Sequence, residues 1–435
     1  MKNLIIFLFI YSLFVSCKKQ NEDLNPYPKY FLASGEPKEN AILLKWTYGF
    51  NQYNYSLDST HMSQSIEFIK PDRFVVYMGE NPINLKPIKD INPLDSSFNI
   101  TNLKTGVPYF LQVKMIFNLH KYEIMSQVIV TIPGKYESPV RMSIPNNFIT
   151  NDIKGQIFYI SYSPDTTQFV ASIREKGAFF YNYKTNKLTK ISNNFGLPIW
   201  SSTGDELLIT KSYFDFTSTL ANIEIFNNSS YLEFPQIKKK INLSYNTIDG
   251  YTWSRDEKNI LFAVPLPTPA IIKKIDLETN QIENFSEPSR SDKSSLNWID
   301  NNNLLIGGFS SLNGLVHNGY SGVLNSTYIS SPVIYNTSTK TYQNLWNDTN
   351  IGSIGFPTLI QKNTKLAYIS NQSGYAAIWI YDIKNNTFRQ FTQRLSSEDI
   401  AIYNLQWHET FGFLSFSFAE HNNINDVKAF RVKVN

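Results

Sequence analysis

The chain contains few cysteine and histidine side chains, the types most often used in catalysis and metal binding. Cys17 is the only cysteine in 435 residues, so no disulfide can form within the chain. The histidines are scattered without metal-ligand spacing, at His61, His120, His317, His408 and His421. No Gly-x-Ser-x-Gly nucleophile elbow and no glycine-rich phosphate loop occurs. We therefore predict no catalytic residue, no metal site and no cofactor.

The segment before Cys17 has the pattern of an export signal. Lys2 precedes a nearly unbroken apolar run from Leu4 to Val15. This run is shorter than the roughly 20 apolar residues that a membrane-spanning helix needs. Residues 14–17, Phe-Val-Ser-Cys, resemble the lipobox of bacterial lipoproteins. The resemblance implies a signal peptide over residues 1–16 and diacylation of the Cys17 thiol, whereas the alternative is an ordinary secretory signal with an incidental cysteine.

The residues after Cys17 indicate where the anchored chain is sent. Residues 18–23 are short, polar and charged, with the sequence Lys-Lys-Gln-Asn-Glu-Asp. They resemble the export signal behind the lipidated cysteine of Bacteroidota surface lipoproteins. The resemblance implies a lipid-anchored protein of the outer membrane at the cell surface, with the periplasmic face as the alternative. Residues 17–28 are then the lipidated cysteine and a tether.

Composition favours a β-rich fold and excludes one class of partner. Aromatic residues make up 15% and hydrophobic residues 42% of the sequence. Short apolar runs alternate with clusters of Asn, Asp, Gly, Pro and Ser, which is typical of strands joined by turns. The formal net charge is only +4, and no basic run exceeds residues 238–240. We therefore predict an all-β fold that does not bind nucleic acid.

The first folded segment, residues 29–135, has the strand pattern of a β-sandwich. A strand at residues 41–46 ends in Trp46, and residues 103–113 contain a leucine, a turn glycine and Tyr109 in the order of a tyrosine corner. This combination resembles a fibronectin type III domain, which implies a spacer or an adhesion module. Trp46 and Tyr109 are accordingly predicted to be structural, with the Tyr109 hydroxyl bonded to nearby backbone.

The remaining segment, residues 136–435, repeats one pattern at intervals of roughly 40 to 60 residues. Each unit has an aromatic or apolar residue, a polar turn and then an apolar run typical of a buried strand. The units open at Tyr162, Trp200, Trp253, Trp298, Leu359 and Trp407. The pattern resembles the TolB-type six-bladed β-propeller, whose repeats carry a Trp-Ser-Pro-Asp-Gly turn. That resemblance implies an envelope scaffold that contacts other proteins, and the long fourth unit leaves a seventh blade open.

Two sets of residues recur at equivalent places in the units. The tryptophans at the turn are predicted to be structural and to pack between neighbouring blades: Trp200, Trp253, Trp298 and Trp407. The acidic residues of the turns are predicted to cap backbone amides: Asp165, Asp205, Asp256 and Asp300. The chain ends on the third strand of the last unit, and a closed propeller leaves no open edge. Residues 139–144 are therefore predicted to supply the missing outer strand.

Two loops exceed what a minimal propeller needs, and long loops on a rigid scaffold often bind ligands. They are residues 213–219 and residues 309–332. Their aromatic and imidazole side chains form a candidate binding rim, consisting of Tyr213, Phe214, Phe216, His317, Tyr320 and Tyr328. Amphipathic aromatic residues beside small polar ones suit a protein hot spot or a sugar ring.

Three functions remain open at this point. The first is a membrane-anchored module that binds an envelope protein or helps to assemble one through the propeller. The second is a glycan-binding surface lipoprotein of a polysaccharide uptake system. The third is a propeller enzyme such as a glycosidase or lyase, which would need acidic or histidine side chains clustered on the innermost strands.

Overall fold

The structure is a computed structural model and consists of β-strands, turns and loops in the residues that it describes. These are residues 27–28, 30–49, 69–142, 157–173, 176–210, 220–228, 233–245, 248, 250–264, 271–286, 296–307, 315–316, 332–345, 354–395, 400–409, 411–420 and 428–434. Over these ranges no helix is long and apolar enough to cross a membrane. The predicted all-β fold is confirmed.

Eight strands form what we call the N-terminal unit. They are β1 (Tyr30–Pro37), β2 (Ile42–Gly49), β3 (Arg73–Gly79), β4 (Lys86–Ile91), β5 (Ser97–Ile100), β6 (Tyr109–Phe117), β7 (Tyr122–Met125) and β8 (Ile129–Thr131). One sheet has the order β1-β2-β5 and the other has the order β4-β3-β6-β7, with β8 also paired to β6. All of these pairings are antiparallel.

The core of the N-terminal unit lies between its two sheets. Successive side chains of a strand point to opposite faces, so Ile42, Leu44 and Trp46 of β2 all enter the core. They meet Phe74 of β3, whose ring centroid lies 5.3 Å from that of Trp46. The Tyr109 hydroxyl accepts a hydrogen bond from the Lys104 backbone N–H at 3.1 Å, which is the backbone contact expected of a tyrosine corner.

The rest of the described chain consists of 25 further strands. They are β9 (Val140–Arg141), β10 (Ile157–Tyr162), β11 (Gln168–Ile173), β12 (Gly177–Asn182), β13 (Lys187–Ser192), β14 (Ile199–Trp200), β15 (Glu206–Thr210), β16 (Asn222–Asn227), β17 (Gln236–Asn242), β18 (Tyr251–Trp253), β19 (Asn259–Val264), β20 (Ile271–Asp276), β21 (Ile282–Asn284), β22 (Leu296–Trp298), β23 (Asn303–Ile306), β24 (Leu315–Val316), β25 (Val333–Asn336), β26 (Thr341–Asn344), β27 (Ile354–Ile360), β28 (Lys365–Ser370), β29 (Ala377–Asp382), β30 (Thr387–Gln390), β31 (Ile400–His408), β32 (Phe413–Glu420) and β33 (Lys428–Lys433).

These strands form successive antiparallel sheets arranged as a β-propeller. The first to fifth sheets have the orders β10-β11-β12-β13, β14-β15-β16-β17, β18-β19-β20-β21, β22-β23-β25-β26 and β27-β28-β29-β30. A sixth contains β31-β32-β33. First strands contact one another between the first and second sheets and from the third sheet through to the sixth, and β31 of the sixth sheet contacts β10 of the first. The second and third sheets are joined by the Trp253 indole N–H, which donates to the Ile199 carbonyl at 3.3 Å. The sheets therefore close into a ring.

The ring closes with a strand from the beginning of the segment. The short strand β9 pairs antiparallel with β33, and the partners are Arg141 with Phe430 and Val140 with Arg431. The sixth sheet thus takes its outer strand from residues that precede the first sheet, as the sequence predicted. At its other side β31 pairs with β24, a two-residue strand from the connection between β23 and β25.

The N-terminal unit is joined to the propeller at the loop between β28 and β29, residues 371–376, which we call the docking loop. The Gly35 backbone N–H donates to the Ser373 carbonyl, and the Val130 N–H donates to the Gln372 carbonyl, both at 2.9 Å. Gly374 lies in the left-handed region at φ +84°, and a Cβ atom there would collide with the Ala33 carbonyl oxygen. The two parts share one apolar cluster that includes Phe110, Val130, Ile132, Tyr368, Tyr375 and Trp379.

The segment that connects the N-terminal unit to the propeller makes backbone hydrogen bonds to both of them. The Gly134 N–H donates to the Lys38 carbonyl of the N-terminal unit at 2.9 Å. Three residues later, the Glu137 N–H donates to the Phe391 carbonyl of the fifth sheet at 3.1 Å. The connection then continues into β9. The docking loop and this connection together fix the N-terminal unit at one place on the propeller.

Candidate functional site

The turns between the first and second strands of the sheets all lie at one edge of the propeller. We call this surface the turn face, and its described residues are 163–167, 201–205, 254–258, 299–302, 361–364, 409, 411 and 412. In a sheet of four consecutive antiparallel strands, the first and third connections lie at one edge and the second connection lies at the other. The docking loop is the second connection of the fifth sheet. The N-terminal unit is therefore attached to the edge opposite the turn face.

Each turn of the first and third sheets is held by a serine and an aspartate. In the third sheet, the Ser254 hydroxyl donates to Asp256 Oδ1 at 2.5 Å and accepts from the Asn259 N–H at 2.9 Å. Asp256 Oδ1 also accepts from the Lys258 N–H at 3.2 Å. Ser163 and Asp165 make the same bonds in the first sheet. The polar groups of these turns are satisfied within the turn itself, which gives the surface a fixed shape.

The acidic residues of the turns are kept ionised by these bonds. The hydrogen bond from Ser254, followed by the backbone N–H of Lys258, lowers the pKa of Asp256 below its ordinary value. Burial raises the pKa of Asp165 and Asp300, but hydrogen bonds to each carboxylate outweigh it and the net pKa is lowered. Asp300 accepts from the backbone N–H groups of Asn302 and Asn303 at 2.8 and 2.9 Å.

The predicted capping role is therefore confirmed for three of the four acidic residues, Asp165, Asp256 and Asp300. Asp205 differs because a threonine replaces it as the acceptor. The Asp205 N–H donates to the Thr203 hydroxyl oxygen at 3.3 Å.

Side chains of the turn face bond across the gaps between sheets. Glu257 of the third sheet accepts hydrogen bonds from both the backbone N–H and the hydroxyl of Ser202 in the second sheet, each at 2.7 Å. Between the third and fourth sheets, Arg255 Nη1 donates to Asn301 Oδ1 at 3.2 Å. The Asn363 amide donates to the Ile299 carbonyl at 2.6 Å, which joins the fourth and fifth sheets. These bonds fix the positions of neighbouring turns relative to one another.

An open cavity of about 400 Å³ lies between the third and fourth sheets at the turn face, and we call it the groove. It is lined by Ser254, Arg255, Asp256, Asn259, Leu261, Lys274, Phe285, Trp298 and Asn301. Its apolar wall contains the rings of Phe285 and Trp298, which meet edge to face with centroids 6.0 Å apart. Arg255, Asp256 and Asn301 are exposed at its polar rim.

The charged groups of the groove already have partners. Lys274 Nζ lies 2.5 Å from Glu283 Oε1 on the neighbouring strand β21. Arg255 bonds to Asn301, and Asp256 accepts from its own turn. An apolar wall with a few oriented polar groups is the usual composition of a recognition site for a side chain or a small ligand. Across the described residues, no three His, Cys, Asp or Glu side chains come together as a metal site would require.

Three of the recurring tryptophans link each sheet to the one before it. The Trp200 indole N–H donates to the Ser161 carbonyl at 3.3 Å. Trp253 donates to Ile199 at 3.3 Å, and Trp298 donates to the Trp253 carbonyl at 3.1 Å. Trp407 departs from this pattern, because its indole N–H donates to the Glu409 carboxylate within its own turn.

The seam between the sixth and first sheets uses other side chains. Gln406 of β31 accepts from the Tyr162 N–H at 3.1 Å and donates to the Tyr162 carbonyl at 2.9 Å. His408 is buried beside this seam, with Nε2 2.8 Å from the Ser415 hydroxyl oxygen and no partner for Nδ1 among the described residues. Burial lowers the pKa of His408 to about 4, so the ring is neutral at physiological pH.

All six residues of the predicted binding rim, Tyr213, Phe214, Phe216, His317, Tyr320 and Tyr328, lie outside the described residues, and so does Cys17. They therefore remain predictions. The groove residues Arg255, Asn301 and Phe285 were not singled out from the sequence. One signal was available, since Arg255 occupies the place in the repeated turn that Pro164 holds in the first unit.

Comparison with known proteins gives likeness in structure but none in sequence families. No family model matches the chain. No curated protein matches it either. A crystal structure of TolB from Acinetobacter baumannii aligns over 76% of this chain and 78% of its own, with 12% identity and a TM-score of 0.38. A structural genomics protein of unknown function from Bacteroides thetaiotaomicron VPI-5482 aligns over 93% of this chain and 97% of its own, with 10% identity and a TM-score of 0.46.

Proposed function

We propose that this chain is a lipoprotein anchored to the outer membrane through Cys17 and exposed at the cell surface. In this proposal the N-terminal unit is a fibronectin type III-like spacer and the rest is a six-bladed TolB-like propeller. The propeller binds an envelope protein through its turn face and has no catalytic role. The signal-like residues 1–16 and the lipobox-like residues 14–17 support the anchor.

The observation that supports the choice of the turn face is the place where the N-terminal unit is attached. The chain enters this unit at the start of β1, after the tether, and the propeller is bonded near the end of β1 at Gly35. The propeller is bonded through the docking loop, at the edge opposite the turn face. A lipid at Cys17 would therefore hold the turn face on the side away from the membrane, where a partner can reach it.

The composition of the turn face suits protein recognition. Its turns are internally satisfied and cross-linked by side chains, so little conformational entropy is lost when a partner binds. The groove offers the half-buried rings of Phe285 and Trp298 beside exposed Arg255 and Asn301, and aromatic and arginine side chains dominate binding energy at protein interfaces.

Photo-crosslinking in intact cells tests the proposed surface. A photoreactive amino acid is placed at Asn301 or Ser202 on the turn face, and at exposed Lys89 on the N-terminal unit as the matched control. We expect one dominant envelope protein to be captured from the turn-face positions and not from Lys89. Capture of the same proteins from all three positions, or of none from the turn face, would contradict the proposal.

A pair of variants measures the contribution of the groove. Arg255→Ala and Asn301→Ala remove exposed side chains, so we expect the thermal unfolding temperature to stay within a few degrees of wild type. Partner capture should fall about tenfold, which is the usual scale for loss of one interface anchor. Lys190→Ala, on outer strand β13 of the first sheet, is the control and should leave capture unchanged.

The anchor requires its own test. Cells fed with labelled palmitate should incorporate the label into the wild-type chain and not into Cys17→Ser. Protease added to intact cells should degrade the wild-type chain if it is surface-exposed, whereas protection until the outer membrane is permeabilised would favour the periplasmic face.

Glycan binding is the second candidate, and the paired rings of Phe285 and Trp298 beside Asn259 and Asn301 favour it. Polysaccharide retention on intact cells distinguishes the two functions. Loss of retention in Arg255→Ala or Asn301→Ala, with no protein captured from the turn face, would move the assignment to a glycan. Alanine at Tyr213, Phe214 and Tyr320 tests the rim that the sequence predicts in the same assay.

A further inference from the structure

We call the end of the N-terminal unit at which the chain enters the tether end. It carries two exposed leucines, Leu94 and Leu119. Strand register brings together the start of β1, the turn 92–96 between β4 and β5, and the turn 118–121 between β6 and β7. In β1 and β2 Tyr30 pairs with Gly49, and β5 begins at Ser97 opposite Lys45 in the middle of β2, so that the turn before Ser97 lies toward the Gly49 end. In the other sheet Arg73 pairs with Ile116, and Ile91 pairs with Phe74.

Each of these two turns carries a leucine that is almost fully exposed. Leu94 is 88% exposed and Leu119 is 87% exposed. A hydrogen bond within the first turn and one from the segment before β3 hold the two turns in place. The Leu94 N–H donates to Asn92 Oδ1 at 2.9 Å, and the Asn118 N–H donates to Asp72 Oδ2 at 2.6 Å. The two leucines thus lie in turns whose backbone is held by hydrogen bonds. Exposure of their apolar side chains to water is unfavourable.

The incoming chain is held at this same end. The Tyr27 ring packs against Phe117, His120 and Tyr122, with centroid distances of 5.1, 5.8 and 4.1 Å. Nine residues lie between Cys17 and Tyr27. The ten residue-to-residue steps from one to the other span at most about 35 Å when fully extended. A lipid on Cys17 would therefore keep the tether end close to the bilayer.

Among the described residues, the backbone bonds between the propeller and the N-terminal unit lie away from the tether end. Its bonds to the N-terminal unit involve Gly35 near the end of β1 and Val130 of β8. Val130 pairs with Phe110 near the start of β6, whereas Leu119 follows the end of β6. The two leucines and the propeller therefore lie at opposite ends of the N-terminal unit.

We propose that the tether end rests on the lipid bilayer, with Leu94 and Leu119 inserted at the boundary between headgroups and acyl chains and exposed Lys121 facing the headgroups. This proposal rests on the lipid anchor proposed above. The anchor raises the local concentration of the two leucine-bearing turns at the membrane. A substantial fraction of the molecules can then have the leucines inserted even if insertion alone is weakly favourable. The contact orients the unit, because two inserted points and one tether define how it stands on the surface.

The chain offers a matched control for both leucines. Ile83 is 85% exposed, and its N–H donates to Asn81 Oδ1 at 2.8 Å in an Asn-Pro-x turn like that of Leu94. It follows β3, at the end of the unit opposite the tether end. The same chemistry is thus present at a place that the proposal keeps away from the bilayer.

The first test uses the chain without residues 1–16, carrying Cys17→Ser, and vesicles of phosphatidylethanolamine and phosphatidylglycerol, so that neither the signal peptide nor a lipid anchor is involved. Flotation should show that Leu94→Ser together with Leu119→Ser lowers the bound fraction about tenfold. Ile83→Ser should leave the bound fraction unchanged. Equal binding by the double variant, or an equal loss in Ile83→Ser, would overturn the proposal.

The second test uses the acylated chain in the same vesicles. It shows whether Leu94 and Leu119 contact the bilayer even if binding without the anchor is too weak to detect. Acylation of Cys17 leaves a cysteine introduced at another position as the only free thiol, which can carry an environment-sensitive fluorophore. Emission should shift to the blue for Leu94→Cys and Leu119→Cys and not for Ile83→Cys. Identical emission at all three positions would reject the bilayer contact, whereas absent palmitate incorporation would reject the anchor instead.

Discussion

The two edges of the propeller are built in different ways. On the turn face, side chains such as Ser254 and Asp256 satisfy the backbone of their own turns. At the docking loop, the backbone of Ser373 and Gln372 is satisfied by Gly35 and Val130 of another part of the chain. One edge is therefore complete without a partner, and the other is completed by the N-terminal unit. The second edge is therefore where the N-terminal unit is attached, and the first is the surface that we propose for partner binding.

The largest expected effect comes from disturbing the attachment. Gly374→Ala places a Cβ atom against the Ala33 carbonyl oxygen and the Ser34 Cα, at a φ of +84° that alanine disfavours. We expect a loss of about 3–5 kcal/mol in the free energy of unfolding, because backbone atoms of both parts must move. Chemical denaturation measures this loss.

Gly106→Ala is the matched control for that substitution. Gly106 has a φ of +81°, but its Cβ would meet nothing within 4 Å. It should therefore lose only about 1 kcal/mol, which reflects backbone conformation alone. Similar losses in the two variants would show that close packing at the docking loop contributes little.

The buried ring of His408, at the seam between the sixth and first sheets, should make the free energy of unfolding depend on pH. His408 has an ordinary pKa of 6.5 when unfolded and about 4 when folded, so only the unfolded chain takes up a proton between these values. Stability is thus complete above pH 6.5 and falls as the pH drops towards 4, by about 3 kcal/mol at most. His408→Gln should flatten this part of the stability curve, whereas His120→Gln at an exposed site should not. Parallel curves for wild type and His408→Gln would contradict the buried, neutral ring.

The smallest effect is expected within one turn. Ser254→Ala removes the hydroxyl that accepts from the Asn259 N–H and donates to Asp256. Loss of these bonds should lower the free energy of unfolding by about 1–2 kcal/mol, measured by denaturant titration. Ser338→Ala is the control, because that side chain is exposed and its residue bonds to Asn336 through the backbone N–H at 3.0 Å. A change as small as the control's would mean that the turn holds its shape without the serine.

Much of the architecture could be predicted because it is encoded locally. An apolar run such as residues 260–264 after the turn at Ser254 predicts a buried strand, since neighbouring sheets cover both of its faces. The closing strand was predictable by a counting argument, because the last repeat unit contains three strands and its sheet would otherwise have one unpaired edge. Both inferences use residues that are adjacent in sequence or a rule about whole sheets.

The docking loop and the groove could not be predicted in this way. Gly374 is required because Ala33, far away in sequence, meets it in space. Likewise the groove arises where Arg255 meets Asn301 across two sheets and where Phe285 packs on Trp298. A single sequence carries no signal for which distant side chains will become neighbours.

The pairing of β9 with β33 has a consequence for how the protein is made. Among the described strands of the ring, β9 comes first in chain order and its partner β33 comes last. The ring cannot be sealed until the ribosome has delivered residues 428–433. A chain that stops early leaves the edge of β32 open, and an open strand edge attracts other chains and proteolysis. Closure of the ring therefore depends on pairing between strands that lie about 290 residues apart in the sequence, at Val140–Arg141 and Phe430–Arg431.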